Sequence, residues 1–142
     1  MDSKKFFYEF GKTFYKIDGF YAEYAKSSGV KENLLWVLYA LNDGEKHSQK
    51  EICDNWDLPR TTINTIIKEL ENDGYVELSQ IQGEKRELNV SLTEKGKRYA
   101  NEILKDLYEL EEKVFEEIQD LHLLENMNEL LNKLNERRNH ND

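Results

Sequence analysis

The sequence predicts a mainly α-helical fold with one small β-hairpin and long helices at both ends. Apolar residues recur at spacings of three and four along most of the chain, and only between Val76 and Leu92 does the pattern change to strict alternation. One Pro, seven Gly and 35% charged residues suit helices. At 142 residues the chain is one domain with accessory helices, large enough to bury a core without covalent staples.

The first helix is carried by Phe6, Phe7, Phe10, Phe14, Ile17, Tyr21 and Tyr24, with charged residues between them. Such a stripe reads as a core-facing or partner-facing surface before it reads as a ligand box. A second helix follows in ENLLWVLYALND, where Leu34, Leu35, Leu38 and Leu41 supply the buried side and Asn42-Asp43-Gly44 a stop. Ser48-Gln-Lys-Glu51 fits a capping box, in which the Ser48 hydroxyl and the Glu51 carboxylate satisfy each other's backbone amides. Ile52, Cys53 and Trp56 give that short third helix its inner face.

Leu58 closes it and Pro59 opens the next helix, where a missing amide costs nothing in the first turn. The spacing predicts a helix over 59–73. Ile63, Ile66, Ile67 and Leu70 share one side; Thr61, Thr65 and Lys68 lie opposite, flanked by Arg60 and Asn64 on one edge and Thr62 on the other. Two short helices joined by a tight turn, the second with small polar residues and cations outward, form a helix-turn-helix pattern. Beyond Gly74, Val76 and Leu78 alternate with polar residues, as do Leu88, Val90 and Leu92 after a polar tip around Gly83. This is a β-hairpin. Thr93 caps a further helix with a stripe of Ala100, Ile103, Leu107, Leu110, Val114, Ile118 and Leu121. A last helix turns Met127, Leu130, Leu131 and Leu134 inward and frays at RRNHND.

Several function classes are excluded by composition. The single Cys53 forms no intrachain disulfide, and no CxxC or Cys/His cluster has zinc spacing. Cys53 reads as packing, since a sensor thiol needs exposure and a lowered pKa. His47, His122 and His140 are scattered, so no metal site is expected. No cofactor motif, phosphate-cradling glycine loop or nucleophile elbow is present, and no enzyme activity is expected. The N-terminal segment has no apolar run long enough for a signal peptide or membrane span, so a cytoplasmic protein is expected. The net charge of −9 is uneven: residues 1–44 carry six Lys/Arg against six Asp/Glu, residues 45–98 nine against eleven, and residues 99–142 five against twelve. The middle segment is therefore nearly neutral, and screening lets a local basic face act independently of the acidic end.

Residues 48 to 100, SQKEICDNWDLPRTTINTIIKELENDGYVELSQIQGEKRELNVSLTEKGKRYA, resemble the MarR family of winged helix-turn-helix transcriptional regulators in their order of helix, recognition helix, wing and LT-E-K-G helix opening. The two helices before and two after match the family's length and order. The resemblance implies a homodimer interlocked through N- and C-terminal helices (residues 1–29 and 99–142) and a DNA-binding lobe over 30–98. It also implies double-stranded DNA as partner, with recognition helix 59–73 in the major groove and wing 79–88 in the minor groove of a pseudo-palindromic operator. A small aromatic effector that changes the spacing of the two recognition helices is implied as well, near Phe14, Tyr15, Tyr21, Trp36 or Tyr39. The family's wing carries an Asp-x-Arg motif that falls on Glu84-Lys85-Arg86, matching the arginine and replacing the aspartate. Thr65 and Glu69 stand where relatives often carry basic residues.

Physical chemistry assigns the roles. Arg60 suits bidentate contact with guanine, Asn64 suits adenine, and Thr61, Thr62 and Thr65 suit thymine methyls or phosphates. Ser48, Gln49, Lys50, Lys68 and Lys85 suit phosphate, and the resemblance implies the minor groove for Arg86. A polar helix face taken alone is more often merely solvated; the capped helix and hairpin around it favour DNA. The competing class is a winged-helix module that binds protein with weak or no DNA affinity.

Overall fold

The computed structural model describes residues 1–80, 83, 88–120 and 122–140, so Lys85 and Arg86 of the wing, Glu84 beside them and Leu121 of the long stripe lie outside the described residues. The described elements, in chain order, are α1 (Ser3–Ser27), α2 (Glu32–Leu41), β1 (His47–Ser48), α3 (Gln49–Trp56), α4 (Arg60–Asn72), β2 (Val76–Gln80), β3 (Leu88–Leu92), α5 (Glu94–Ile118) and α6 (His122–His140). They fall into two units, Met1–Leu107 and Tyr108–Asp142.

In the first unit α1 starts where the Asp2 side chain accepts from the Lys5 amide at 2.8 Å and ends before Gly29, whose φ of +77° only glycine adopts without strain. The core lies beneath the sheet and the short helices. Leu35, Val37, Leu38 and Leu41 of α2 meet Ile52 of α3, Ile63, Ile67 and Leu70 of α4, Val76, Val90 and Leu92 of the strands, and Ala100, Ile103, Leu104 and Leu107 of α5. Four positions differ from the periodicity: Val37 and Leu104 are fully buried, whereas Leu34 and Ile66 are half-buried. The α2 and α5 stripes are covered from more than one side, so their buried arcs are wider than one row.

The sheet has strand order β1-β3-β2, antiparallel throughout. The expected hairpin has register Val76↔Leu92, Leu78↔Val90 and Gln80↔Leu88, which sends Val90 and Leu92 inward, while Gly83 in the tip has a φ of +87°. Strand β1 was not anticipated. Its two residues pair with Val90 and Asn89, which ties the base of the hairpin to the start of α3.

Two local expectations are corrected. Pro59 sits before α4 with ψ of 140°, so the helix begins at Arg60 rather than at Pro59 and runs to Asn72. The chain reaches it through Asp57 in a left-handed conformation at φ 50°, which makes the sharp turn. Only half of the capping box forms: the Ser48 hydroxyl accepts from the Glu51 amide at 3.0 Å, but the Glu51 carboxylate turns to His47 Nδ1 at 3.2 Å, a stronger partner than a neutral amide.

The second unit holds the end of α5 and all of α6. Asp120 accepts from the His122 amide at 3.0 Å and starts α6, which continues regularly through Arg137, Arg138 and His140 instead of fraying there. Cations in that last turn complement the helix dipole. No residue of α6 is buried; Met127, Leu131 and Leu134 are exposed within the chain, contrary to an inward-facing stripe. Among the described residues no helix is long and apolar enough to cross a membrane.

Candidate nucleic-acid interface

Helix α4 is held by its apolar side, with Ile63 and Ile67 wholly buried. Its opposite side is therefore presented outward, and Arg60, Thr61, Thr65 and Lys68 are exposed there, with Thr62 and Asn64 half-exposed at the edges. The Thr65 hydroxyl donates to the Thr61 carbonyl at 3.0 Å. Its proton is thus committed to the helix, and the methyl group and oxygen lone pairs are what it offers outward, a set suited to a thymine methyl or a donor. At the start of α3, Ser48 and Gln49 are half-exposed and Lys50 exposed. The predicted site residues within the described region lie on α3 and α4, except Ser48, which ends β1 and caps α3.

The orientation of α4 is fixed at its far end by a joint with α5. The Thr93 hydroxyl donates to the Gly74 carbonyl at 2.6 Å and accepts from the Gly96 amide at 3.0 Å; Lys95 Nζ donates to the Asp73 carbonyl at 2.7 Å. The rings of Tyr75 and Tyr99 stack at 4.0 Å, with the Lys95 ammonium 4.9 Å from the centre of Tyr75. A Cβ on Gly96 would lie 1.8 Å from the Tyr75 carbonyl oxygen, so this close approach requires glycine. The LT-E-K-G segment is accordingly a mechanical joint that closes the turn after the recognition helix.

Beside α4 an open cleft of about 610 Å³ separates its Thr62 and Glu69 edge from the start of α2. Lys31 and Asn33 line the far wall; Thr61, Thr62, Thr65 and Glu69 line the near one. Neither Lys31 nor Asn33 belongs to a motif, and only the packing of α2 beside α4 brings them to this face.

His47 is the other group that spacing alone did not single out. Its Nε2 lies 2.7 Å from Asp43 and its Nδ1 3.2 Å from Glu51. Burial acts to lower its pKa, but the hydrogen bonds and charges of Asp43 and then Glu51 outweigh it and hold the imidazole above its ordinary 6.5. Burial likewise acts to raise Asp43, and His47 together with the Glu45 amide brings it below its ordinary value. Among the described residues no group of three His, Cys, Asp or Glu side chains is placed to hold a metal ion. Cys53 is half-buried beside the core.

The aromatic residues expected near an effector separate into two groups. Tyr21, Trp36 and Tyr39 gather with Trp56, Trp36 lying 4.8, 5.7 and 5.4 Å from Tyr21, Tyr39 and Trp56 respectively. Phe14 and Tyr15 instead continue the row of rings along α1.

Known proteins share this arrangement. The winged helix DNA-binding domain family matches residues 30–96. The transcriptional regulator SarZ of Staphylococcus epidermidis is 33% identical over 87 residues, which cover 61% of this chain and 58% of SarZ. The transcriptional repressor MprA of Escherichia coli is 33% identical over 81 residues, 56% of this chain and 46% of MprA. The structure of a MarR family regulator from Neisseria meningitidis superposes with a TM-score of 0.85 and 25% identity over 100% of both chains. The chain thus carries a winged helix DNA-binding domain and is similar along its whole length to a MarR family regulator. Its match to SarZ and MprA spans less than two thirds of their length, whereas the likeness in structure to the Neisseria protein runs end to end. The relatives named here are transcriptional regulators, not enzymes.

Proposed function

We propose that this chain is a sequence-specific DNA-binding transcriptional regulator, a homodimer that represses by occupying a pseudo-palindromic operator in the cytoplasm. The observation that carries the reading is α4: its apolar side is locked into the core while Arg60, Thr61, Thr65 and Lys68 stand exposed on the other. In this reading the lobe 30–98 binds DNA, with α4 in the major groove and wing residues Lys85 and Arg86 toward the minor groove. Residues 1–29 and 99–142 form the dimer. Exposed Phe6, Phe14 and Ile17 on α1, and Leu110, Val114 and Ile118 on α5, support that role. Arg60 and Asn64 read bases; Ser48, Gln49, Lys50 and Lys68 position the backbone. Release by a small aromatic effector belongs to the same proposal, and such a ligand acts only by binding one spacing of the recognition helices better than another.

Fluorescence anisotropy against DNA selected from a random pool tests the reading. Tight, salt-sensitive binding to a palindrome is expected, and Arg60→Ala should cost about 1 to 3 kcal/mol on that site while changing nonspecific binding less. Affinity that stays at the nonspecific level at low salt would favour a protein-binding module instead.

A further inference from the structure

The cations assigned to phosphate so far, Lys50, Lys68 and Lys85, leave the Thr62 and Glu69 edge of the recognition helix without one. An α-helix with its side chains is about 10 to 12 Å across, and the major groove is about 12 Å wide. A helix that enters the groove therefore fills it, and a phosphate backbone runs along each of its flanks. On the Thr62 flank lies the cleft described above, open to solvent and walled on its far side by Lys31 and Asn33.

We infer that this cleft is a track for the DNA backbone, in which Lys31 and Asn33 are positioning residues that grip one strand while α4 reads the bases. The inference rests on the regulator reading and adds a second point of grip to it. Lys31 is the sole cation among the cleft-lining residues, and it and Asn33 are both exposed. An ammonium on a flexible stem and a carboxamide are suited to phosphate oxygens and carry no base preference. The Thr61 and Thr62 hydroxyls on the near wall add donors on the same track. Glu69, the sole carboxylate lining the cleft, opposes a phosphate there and sets an upper limit on the grip. Relieving that repulsion is a second, opposite lever on the same site.

The test uses the full chain, the palindrome it selects and an unrelated duplex, at several salt concentrations. Lys31→Gln should weaken binding to both duplexes by roughly three- to tenfold and reduce the magnitude of the salt slope by about 0.9 per half-site. Asn33→Ala should weaken both by a smaller factor, and Glu69→Gln should strengthen both. Lys113→Gln on α5 controls for the change in net charge once sedimentation shows its self-association unchanged, and circular dichroism checks that each variant keeps its helices. If Lys31→Gln loses no more than Lys113→Gln on DNA that the wild type binds tightly, the cleft is not a backbone track and the regulator reading stands. If the wild-type chain itself binds no DNA above the nonspecific level, the regulator reading fails first and this inference goes with it.

Discussion

Helices α4 and α1 have the same amphipathic period and opposite fates. In α4 the apolar stripe is consumed inside the chain, with Ile63 and Ile67 at 0% exposure. In α1 it is left outside: Phe6 and Phe14 are 48% exposed and Ile17 55%, and Ala25 is the helix's one buried residue. Periodicity shows that a helix needs a cover but not what provides it. For α4 the core is the cover, so its polar side is free to meet DNA. For α1, we propose, the cover is a second copy of the chain, which makes its aromatic side the structural half of a regulator and the Thr-rich side of α4 the reading half.

That contrast breaks most sharply at Gly96. Gly96→Ala drives a methyl group into the Tyr75 carbonyl, a backbone atom with nowhere to go, and should destabilise the lobe by about 3 kcal/mol or more. Urea denaturation should show a loss that does not depend on protein concentration, since the damage is inside one chain. Phe14→Glu attacks the other side of the comparison. It leaves the monomer's core untouched but should weaken self-association roughly a hundredfold, about 2.8 kcal/mol, with helix content unchanged. Sedimentation across a concentration series reads this directly. An unchanged dimer would mean that the α1 stripe is covered by something else.

Much of the fold was legible because the signals are local. Ile63, Ile67 and Leu70 declare α4, Ser48 declares the start of α3, and the alternation of Val76 through Leu92 fixes the hairpin register. What escaped depends on contacts between distant segments. Two residues, His47 and Ser48, have no periodicity to betray a strand, and their partners Val90 and Asn89 lie on the far side of α3 and α4 in sequence. Val37 and Leu104 are buried because neighbours close over a second row of their helices. The α4 side chains proposed to read DNA belong to a motif and could be named in advance, whereas Lys31 and Asn33 reach the same face only through tertiary packing.

A smaller effect is expected where α1 engages α5. The Tyr24 hydroxyl donates to the Ile103 carbonyl at 2.6 Å and accepts from the Leu107 amide at 3.1 Å, the two groups that pair with each other in a regular helix. Tyr24→Phe removes the bridge but lets those groups pair directly, so the cost should be about 1 kcal/mol. Hydrogen exchange at the Leu107 amide should change while distant amides do not. A uniform change across the chain would indicate general loosening instead.

The smallest effect concerns pH and the clip of Asp43, His47 and Glu51, which anchors β1 and hence the α3 start that bears Ser48, Gln49 and Lys50. The His47 pKa is raised on folding, so its contribution to stability is fully present below the ordinary 6.5 and is lost as pH rises through the raised value. The Asp43 pKa is lowered, so its contribution is present above the ordinary 3.8 and is lost as pH falls through the lowered value. The clip is therefore strongest between those limits, near pH 5 to 6. Both carboxylates are about half exposed, at 49% and 46%, so solvent screening should hold the whole effect below about 1 kcal/mol. His47→Gln should lower Tm most near pH 5.5 and least near pH 9, where wild type and variant converge. Added salt should shrink the difference at the acidic end. A difference independent of pH would mean that the imidazole acts through packing alone, and its place between the carboxylates would then carry no electrostatic weight in holding the wing's base to the helix-turn-helix.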